Sequence, residues 1–350
     1  MDWWLNPVAE ISHSSRESAL ARQQQLTKPE GALGTLEALA VNFAGWQGTD
    51  MPELNHIDVR VFAGDHGVVA EGVSAYPQAV TVEMIKNFAR GGAAISVLAR
   101  QANANFDLVN FTVVNMGTAV EPPVREAVIN VQLVAGTSNF CQMPAMDEEI
   151  VRRALSEGAA QVEEDADLFV GGEMGIGNTT ATAALTSAFL DLSPEITVGR
   201  GTGIDDEALA KKREAVTTAL LFHKKALVTP FDILRCLGGL EIAALAGAYI
   251  SAAQKGIPSV VDGYICTVAA LAACRLNPGV RDWLLFSHRS AEPGHHYLLE
   301  ALSAVPLLDF GLRLGEGSGA ALVLPLLQSA CHLHGDMATF AEANVSRRDA

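Results

Sequence analysis

Basic residues are scarce in this chain. It has 350 residues, with 24 Lys and Arg against 40 Asp and Glu and a net charge of −16. A field of that sign opposes the counterion release on which nucleic-acid and anionic-membrane binding depend, so neither partner is expected. Cysteine is also sparse: Cys141, Cys236, Cys266, Cys274 and Cys331 form no CxxC pair. An odd number in a chain too large to need staples points to reduced, buried thiols. Long apolar runs are missing too. The most membrane-like stretch, LGGLEIAALAGAYISAA at 237–253, is short of a span and carries Glu241, so it reads as a buried helix. The start, MDWWLNPVAEISHSS, lacks the basic and apolar regions of a secretory signal, and the cytoplasm is the expected location. There is no internal repeat, heptad pattern or low-complexity linker. Apolar residues are abundant: 49% of the chain is hydrophobic and 18% charged, enough for one large domain or two modest ones.

From residue 57 one pattern recurs, a short apolar β-branched run, a glycine-rich or polar turn, then ten to fifteen residues of helical periodicity. That is the signature of an α/β fold. The expected strands are 57–63, 106–114, 127–133, 167–172, 258–263 and 282–287, several of them apolar throughout, as strands covered on both faces should be. Expected helices are 14–26, 34–46, 147–164, 178–190, 205–223, 240–255, 294–303 and 317–332. The organisation expected is a parallel sheet flanked by helices, Rossmann-like and doubly wound, over 51–316. A smaller helical domain would combine 1–50 with about 317–340, and 341–350 would be a frayed tail.

In such sheets ligands bind outside the carboxyl ends of the strands. Glycine and polar residues gather in five stretches of that kind: AGDHGVVAEGVSAYPQAVT (63–81), GGEMGIGNTTATAA (171–184), GRGTGIDDEALAKK (199–212), SHRSAEPGHH (287–296) and RLGEGSGAA (313–321). In the second, a glycine turn leads into Asn178 and two threonines at a helix start, an arrangement that suits an anion and equally a plain tight turn. It lacks the Lys of a phosphate-binding loop and the third glycine of a dinucleotide fingerprint. Lys212 is either a solvated helix-face lysine or a phosphate partner, and the Ser290 hydroxyl either serves its own loop or donates to an anion. Asp65-His66, His295-His296 and His332-x-His334 lack the further ligands that a metal site needs, and no metal is expected. No nucleophile elbow or catalytic cysteine context appears.

Glu316 and Glu173 are isolated acids in glycine turns, one in GEG and one in GGEMG. A carboxylate favoured by a helix dipole is worth only about 0.3 to 1 kcal/mol. Gly315, Gly317 and Gly319 each give up roughly 0.5 to 1 kcal/mol relative to alanine where the chain is regular, so something must approach the backbone closely there. An ionised acid of this kind suits a general base and makes a poor acid. Displacement of a neutral amine, as from a pyridinium riboside, needs a base and no acid.

At this point the residues resemble a known family. LTKPEGALGTLEALA (26–40), AGDHGV, GGEMGIGNTTATAA, the glycine-rich segment ending in LAKK, VVDGYICTVAALAA (260–273), SHRSAEPGH and RLGEGSGAAL are similar, in order and over nearly the whole chain, to the nicotinate-nucleotide:dimethylbenzimidazole phosphoribosyltransferases of cobalamin biosynthesis. The resemblance implies transfer of ribose 5-phosphate from nicotinate mononucleotide to a benzimidazole-type base, without a cofactor, by a homodimer. It implies Glu316 as the base with Glu173 beside it. Phosphate and ribose would be held by Gly175, Ile176, Gly177, Asn178, Gly201, Gly203, Lys212 and Ser290. The base pocket would involve Asp65, Tyr76, Pro77, Met84, Leu314 and Gly315. Where the family pattern has a serine before the proline and a glutamine further on, this chain has Tyr76 and Met84, which leaves other benzimidazoles, purines or phenols open as acceptors. A nucleotide-binding module without catalysis and a nicotinamide-dependent oxidoreductase are the competing readings. The first leaves Glu316 without a role, and the second lacks its fingerprint.

Overall fold

The computed structural model describes the chain except for residues 1, 121, 123–126, 202 and 347–350. Helices α1 (His13–Gln23) and α2 (Thr35–Gln47) precede β1 (His56–Gly64), and α3 (Val80–Ala89) and α4 (Ala94–Ala102) lead into β2 (Leu108–Gly117) and β3 (Val128–Asn130). Then come α5 (Glu148–Ala160), β4 (Leu168–Met174), α6 (Asn178–Leu190), α7 (Pro194–Thr197), α8 (Asp206–His223), α9 (Pro230–Leu237) and α10 (Leu240–Lys255). The order closes with β5 (Ser259–Val261), α11 (Tyr264–Leu276), β6 (Leu284–Phe286), α12 (His295–Ala301) and α13 (Ser318–Asp336).

All strand pairs in the sheet are parallel, and the spatial order is β3-β2-β1-β4-β5-β6. The chain therefore winds outward from β1 in one direction and then from β4 in the other. The crevice at the carboxyl ends of these two strands is the topological switch point where such sheets hold ligands. AGDHG leaves β1 there and GGEMGIG leaves β4.

All six expected strands are present, and β1 is buried from its second residue onward because helices cover both faces. Its two charged residues pair with each other: Arg60 Nη2 lies 2.8 Å from Asp58 Oδ1 and 2.7 Å from Glu163. Helices α3, α4, α7, α9 and α11 were not expected from periodicity, and the helix expected to reach Glu164 stops at Ala160. The chain ends are tied together. Arg22 donates from Nε to the His334 carbonyl at 2.8 Å, Leu26 and Thr339 form an antiparallel bridge, and Phe340 N–H donates to Gln25 O at 2.9 Å. Helix α13 packs on α2 and also on α4 and β4, so it connects the terminal helices to the sheet. Of the tail expected at 341–350, residues 341–346 are exposed and the last four lie outside the described residues.

Helices α5 and α10 meet through glycines. A Cβ on Gly158 would lie 1.9 Å from the Ala244 carbonyl oxygen, and one on Gly247 would lie 2.0 Å from that of Leu155. Backbone cannot move aside as a side chain can. Gly158→Ala should therefore lose stability by about 1 to 3 kcal/mol despite the better helix propensity of alanine, read as a lower thermal midpoint. An unchanged midpoint would mean that the two helices slide apart without cost.

Candidate active site

A cavity of about 490 Å³ opens at the carboxyl ends of β4, β5 and β6. Its wall brings together Glu173, Gly175, Ile176, Asn178, Gly201, Ser290, Leu314, Gly315, Glu316, Tyr76 and Met84, which lie far apart in the sequence.

The turn before α13 explains the three glycines. Gly315, Glu316 and Gly317 all have positive φ, at 87°, 67° and 86°. Glycine adopts this conformation freely, whereas a glutamate there is strained by roughly 1 kcal/mol or more. Close packing leaves no alternative. A Cβ on Gly315 would lie 2.2 Å from Glu173 Oε1, and one on Gly172, across the contact, 2.2 Å from the Glu316 carbonyl oxygen. At Gly319 it would lie 2.1 Å from His288 Nδ1. The absent side chains let two buried carboxyls and an imidazole converge on one point.

Glu316 is 6% exposed. Burial pushes its carboxyl above the ordinary carboxylate range; the amides of Ile95 and Ala94, at the start of α4, pull the other way, and the charge of Asp262 adds to the rise. The expectation from sequence, a carboxylate kept ionised by a helix dipole, is thus corrected: burial outweighs the amides it faces, which belong to α4. The result is a stronger base.

Glu173 ends in a tighter enclosure. It accepts from Asn178 Nδ2 and, at 3.3 Å, from the Glu316 N–H. Burial, then the charges of Asp262 and Glu241, raise its pKa to about 8, against those two hydrogen bonds. With its pKa at about 8 the carboxyl carries a proton at neutral pH. Between the ordinary value of 4.5 and about 8 the folded chain binds a proton that the unfolded chain releases, so stability falls as pH rises through this window. Glu173→Gln removes that slope. In denaturant unfolding the variant should gain roughly 2 to 4 kcal/mol on the wild type between pH 5 and pH 8.5, and parallel pH curves would contradict the buried proton.

Helix α6 starts at Asn178 behind Gly177, whose φ is 98° and which offers no side-chain cap; the Asn178 and Thr180 amides close on the carbonyls of Gly175 and Gly177, at 3.1 and 2.9 Å, which leaves the Thr179 N–H and the helix dipole to serve an anion. Gly177 and Lys212 line a small recess behind this turn, together with Gly175, Ile176 and Asn178. Lys212 is 1% exposed and donates to Thr179 Oγ1 at 2.8 Å and to Gly199 O at 3.2 Å. It is not the solvated lysine that helix position alone would suggest. Burial lowers its pKa to about 8, opposed by the charge of Glu292.

Ser290 is held from behind. Its N–H donates to His295 Nδ1 at 2.8 Å. Burial drives His295 down to about 3, so its ring is neutral and Nε2–H donates to Thr267 Oγ1, which in turn donates to Gly263 O. The neighbouring His296 is exposed and pairs with Glu300; adjacency of the two histidines has no ligand meaning.

Three expected residues sit elsewhere. Asp65 is buried, and its carboxylate accepts from Ala119 N–H at 2.8 Å beyond β2, which turns it off the cavity wall. Pro77 is exposed and lines none of the cavities. Gly203 borders a second cavity of about 430 Å³, with Arg200 and Arg213, that shares Gly201, Glu292 and Arg313 with the first. The sequence reading missed Asp262, Tyr264, His288, Glu292 and Arg313, all on the main wall. For Asp262 a signal existed, an acid directly after an apolar strand in VVDG. His66 pairs with Glu241 at 2.7 Å beneath the site, both fully buried. Among the described residues one group, His56 with Glu163 and Asp165, gathers metal-type ligands, at the opposite, amino end of β1.

The fold and this wall define a class of transferase. Residues 8–345 match the family model described as phosphoribosyltransferase, and the chain belongs to that family. Among its relatives are the nicotinate-nucleotide–dimethylbenzimidazole phosphoribosyltransferases of Pseudomonas aeruginosa (strain UCBPP-PA14), 56% identical over 100% of this chain and 99% of that one, and of Xanthomonas oryzae pv. oryzae (strain PXO99A), 56% identical over 99% of each. The crystal structure of the enzyme of that name from Thermus thermophilus superposes with a TM-score of 0.89 at 45% identity, covering 97% of this chain and 100% of that one.

Proposed function

We propose that the chain transfers ribose 5-phosphate from nicotinate mononucleotide to 5,6-dimethylbenzimidazole or a related aromatic base, giving α-ribazole 5'-phosphate and nicotinate with inversion at C1'. One observation carries this reading. The cavity has the buried acids Glu173, Asp262 and Glu316 on its wall, and it shares the 175–179 turn with a recess that holds a buried lysine, Lys212. Its charge pattern complements a nucleotide with a cationic pyridinium ring and an anionic phosphate.

The chemistry follows from the charges. Phosphate neutralises Lys212 at the recess formed by Gly175 to Asn178, with Ser290 on the wall of the adjoining main cavity. The pyridinium charge, arriving near Glu173, favours its ionised form, and this carboxylate then stabilises the oxocarbenium character that develops at C1'. One ring nitrogen of the base attacks C1' from the opposite face while Glu316 takes the proton from the other, so no charge builds up on the base. The C1'–N bond breaks with its electron pair going to nicotinate, which leaves as a neutral pyridine and needs no acid. Tyr76, Met84 and Leu314 supply the apolar wall for the base.

The names of the relatives support an enzyme of cobalamin biosynthesis, which we place in the cytoplasm; among the described residues no helix is long and apolar enough to cross a membrane. The homodimer is part of the same proposal, and a second copy would cover exposed Val305 and Phe310 in the segment that leads to the cavity-lining Arg313 and Leu314. The test is product analysis from nicotinate mononucleotide with dimethylbenzimidazole, adenine or a phenol as acceptor. The α-anomer of one ribosylated base, formed mole for mole with nicotinate, is expected; the β-anomer would overturn inversion and the placement of the base opposite the leaving group.

A further inference from the structure

Glu316 is strained, and something must hold it so. Ser318 Oγ closes the turn on itself by donating to Gly315 O at 2.6 Å, but that bond does not fix the turn to the sheet. The Glu316 N–H is bonded to Glu173 on β4 at 3.3 Å, and the attachment at the helix start comes from Asp262, the first residue after β5. It is 1% exposed, and its Oδ2 accepts from Gly317 N–H at 3.1 Å while Oδ1 accepts from Ala320 N–H at 3.0 Å. These amides belong to the N-cap residue of α13 and to the third residue of that helix, and Gly317 has no side chain to cap them. Gly319 makes the approach possible, since a Cβ there would lie 2.8 Å from Asp262 Oδ1. His288 Nδ1, 3.7 Å from the same oxygen and 3.0 Å from Ser287 Oγ, closes the other side.

We propose that Asp262 is a positioning residue for Glu316: it caps α13 from the neighbouring strand and thereby holds the 315–317 turn in the left-handed form that aims Glu316 into the cavity. The proposal rests on the transferase reading above and adds to it a residue that acts through the base. A misplacement of about 1 Å at a reacting group can cost 10²-fold in rate, and a free α13 start permits shifts of that size. The charge of Asp262 also raises the basicity of both glutamates, so the same carboxylate places and tunes the base.

The test is a double-mutant cycle joined to hydrogen exchange. Asp262→Ala should lower kcat by about 10- to 100-fold with KM for nicotinate mononucleotide changed less than about threefold. Combined with Glu316→Gln it should cost no more than about twofold beyond Glu316→Gln alone, because the residue it positions is already disabled. Asp262→Asn, which keeps one acceptor and serves where the alanine variant does not fold, should recover part of the loss. In the peptide spanning Gly317 and Ala320, amide exchange should quicken by about tenfold or more in Asp262→Ala. Losses that multiply in the Glu316→Gln background would overturn the proposal by giving Asp262 an independent role, as would unchanged kcat or unchanged exchange. If the wild type releases no nicotinate at all, the transferase reading falls, and the exchange result then judges the cap separately.

Discussion

Glu316→Gln slows ribosyl transfer by about 10² to 10⁴ and leaves binding of nicotinate mononucleotide within about threefold of wild type. Glutamine keeps an oxygen toward the amides of Ala94 and Ile95, so the turn and α4 stay as they are, and only the ability to accept a proton is lost. The residual rate comes from positioning, which the variant preserves. Steady-state kinetics with single-turnover checks separates the two parameters. A variant that loses affinity in step with rate would make Glu316 a binding group, and one with full activity would move the base elsewhere.

Lys212→Met has the second large effect, and it divides function from stability. The lysine is buried with one opposing charge, Glu292, and its pKa falls from 10.5 to about 8, a cost of about 3 kcal/mol at neutral pH that its two hydrogen bonds offset in part. Below about pH 8 both folded and unfolded chains carry the proton, so the full cost is present. From there to 10.5 the folded chain loses the proton first and stability rises with pH. Methionine removes the cost and the rise together. The variant should therefore melt no lower than wild type at pH 7 while kcat/KM for nicotinate mononucleotide drops by about 2 to 4 kcal/mol, or roughly 30- to 1,000-fold, because the phosphate loses its buried cation. A thermal midpoint that falls along with kcat/KM would instead make Lys212 a structural residue.

Much of this was legible in the sequence, for physical reasons that can be named. The strands show themselves because a parallel sheet covered on both faces writes continuous apolar runs, as in VFA of β1 and LFV of β4. Helix α11 stays hidden because YICTVAALAACRL is buried without a break from Cys266 to Ala273 and has no polar face there to set a period. Helix α9 carried a readable start in Thr229-Pro230-Phe231-Asp232, a capping box with proline at the first helical position, which periodicity alone passed over. At the site, the glycines around Glu316 signalled close approach but could not say to what; only the fold shows that Glu173, Gly172 and His288 are the neighbours. Asp65 went astray for a related reason. Its place after β1 was right, yet a free amide at Ala119, distant in sequence, captured its carboxylate.

The most direct test of the central claim is the dependence of nicotinate release on the acceptor base, measured by chromatography with mass detection on purified protein incubated with nicotinate mononucleotide, with and without dimethylbenzimidazole. Release that requires the base and matches α-ribazole 5'-phosphate mole for mole is the expected result. Release at the same rate without any base, yielding ribose 5-phosphate, would make this cavity the site of a hydrolase and contradict the transfer.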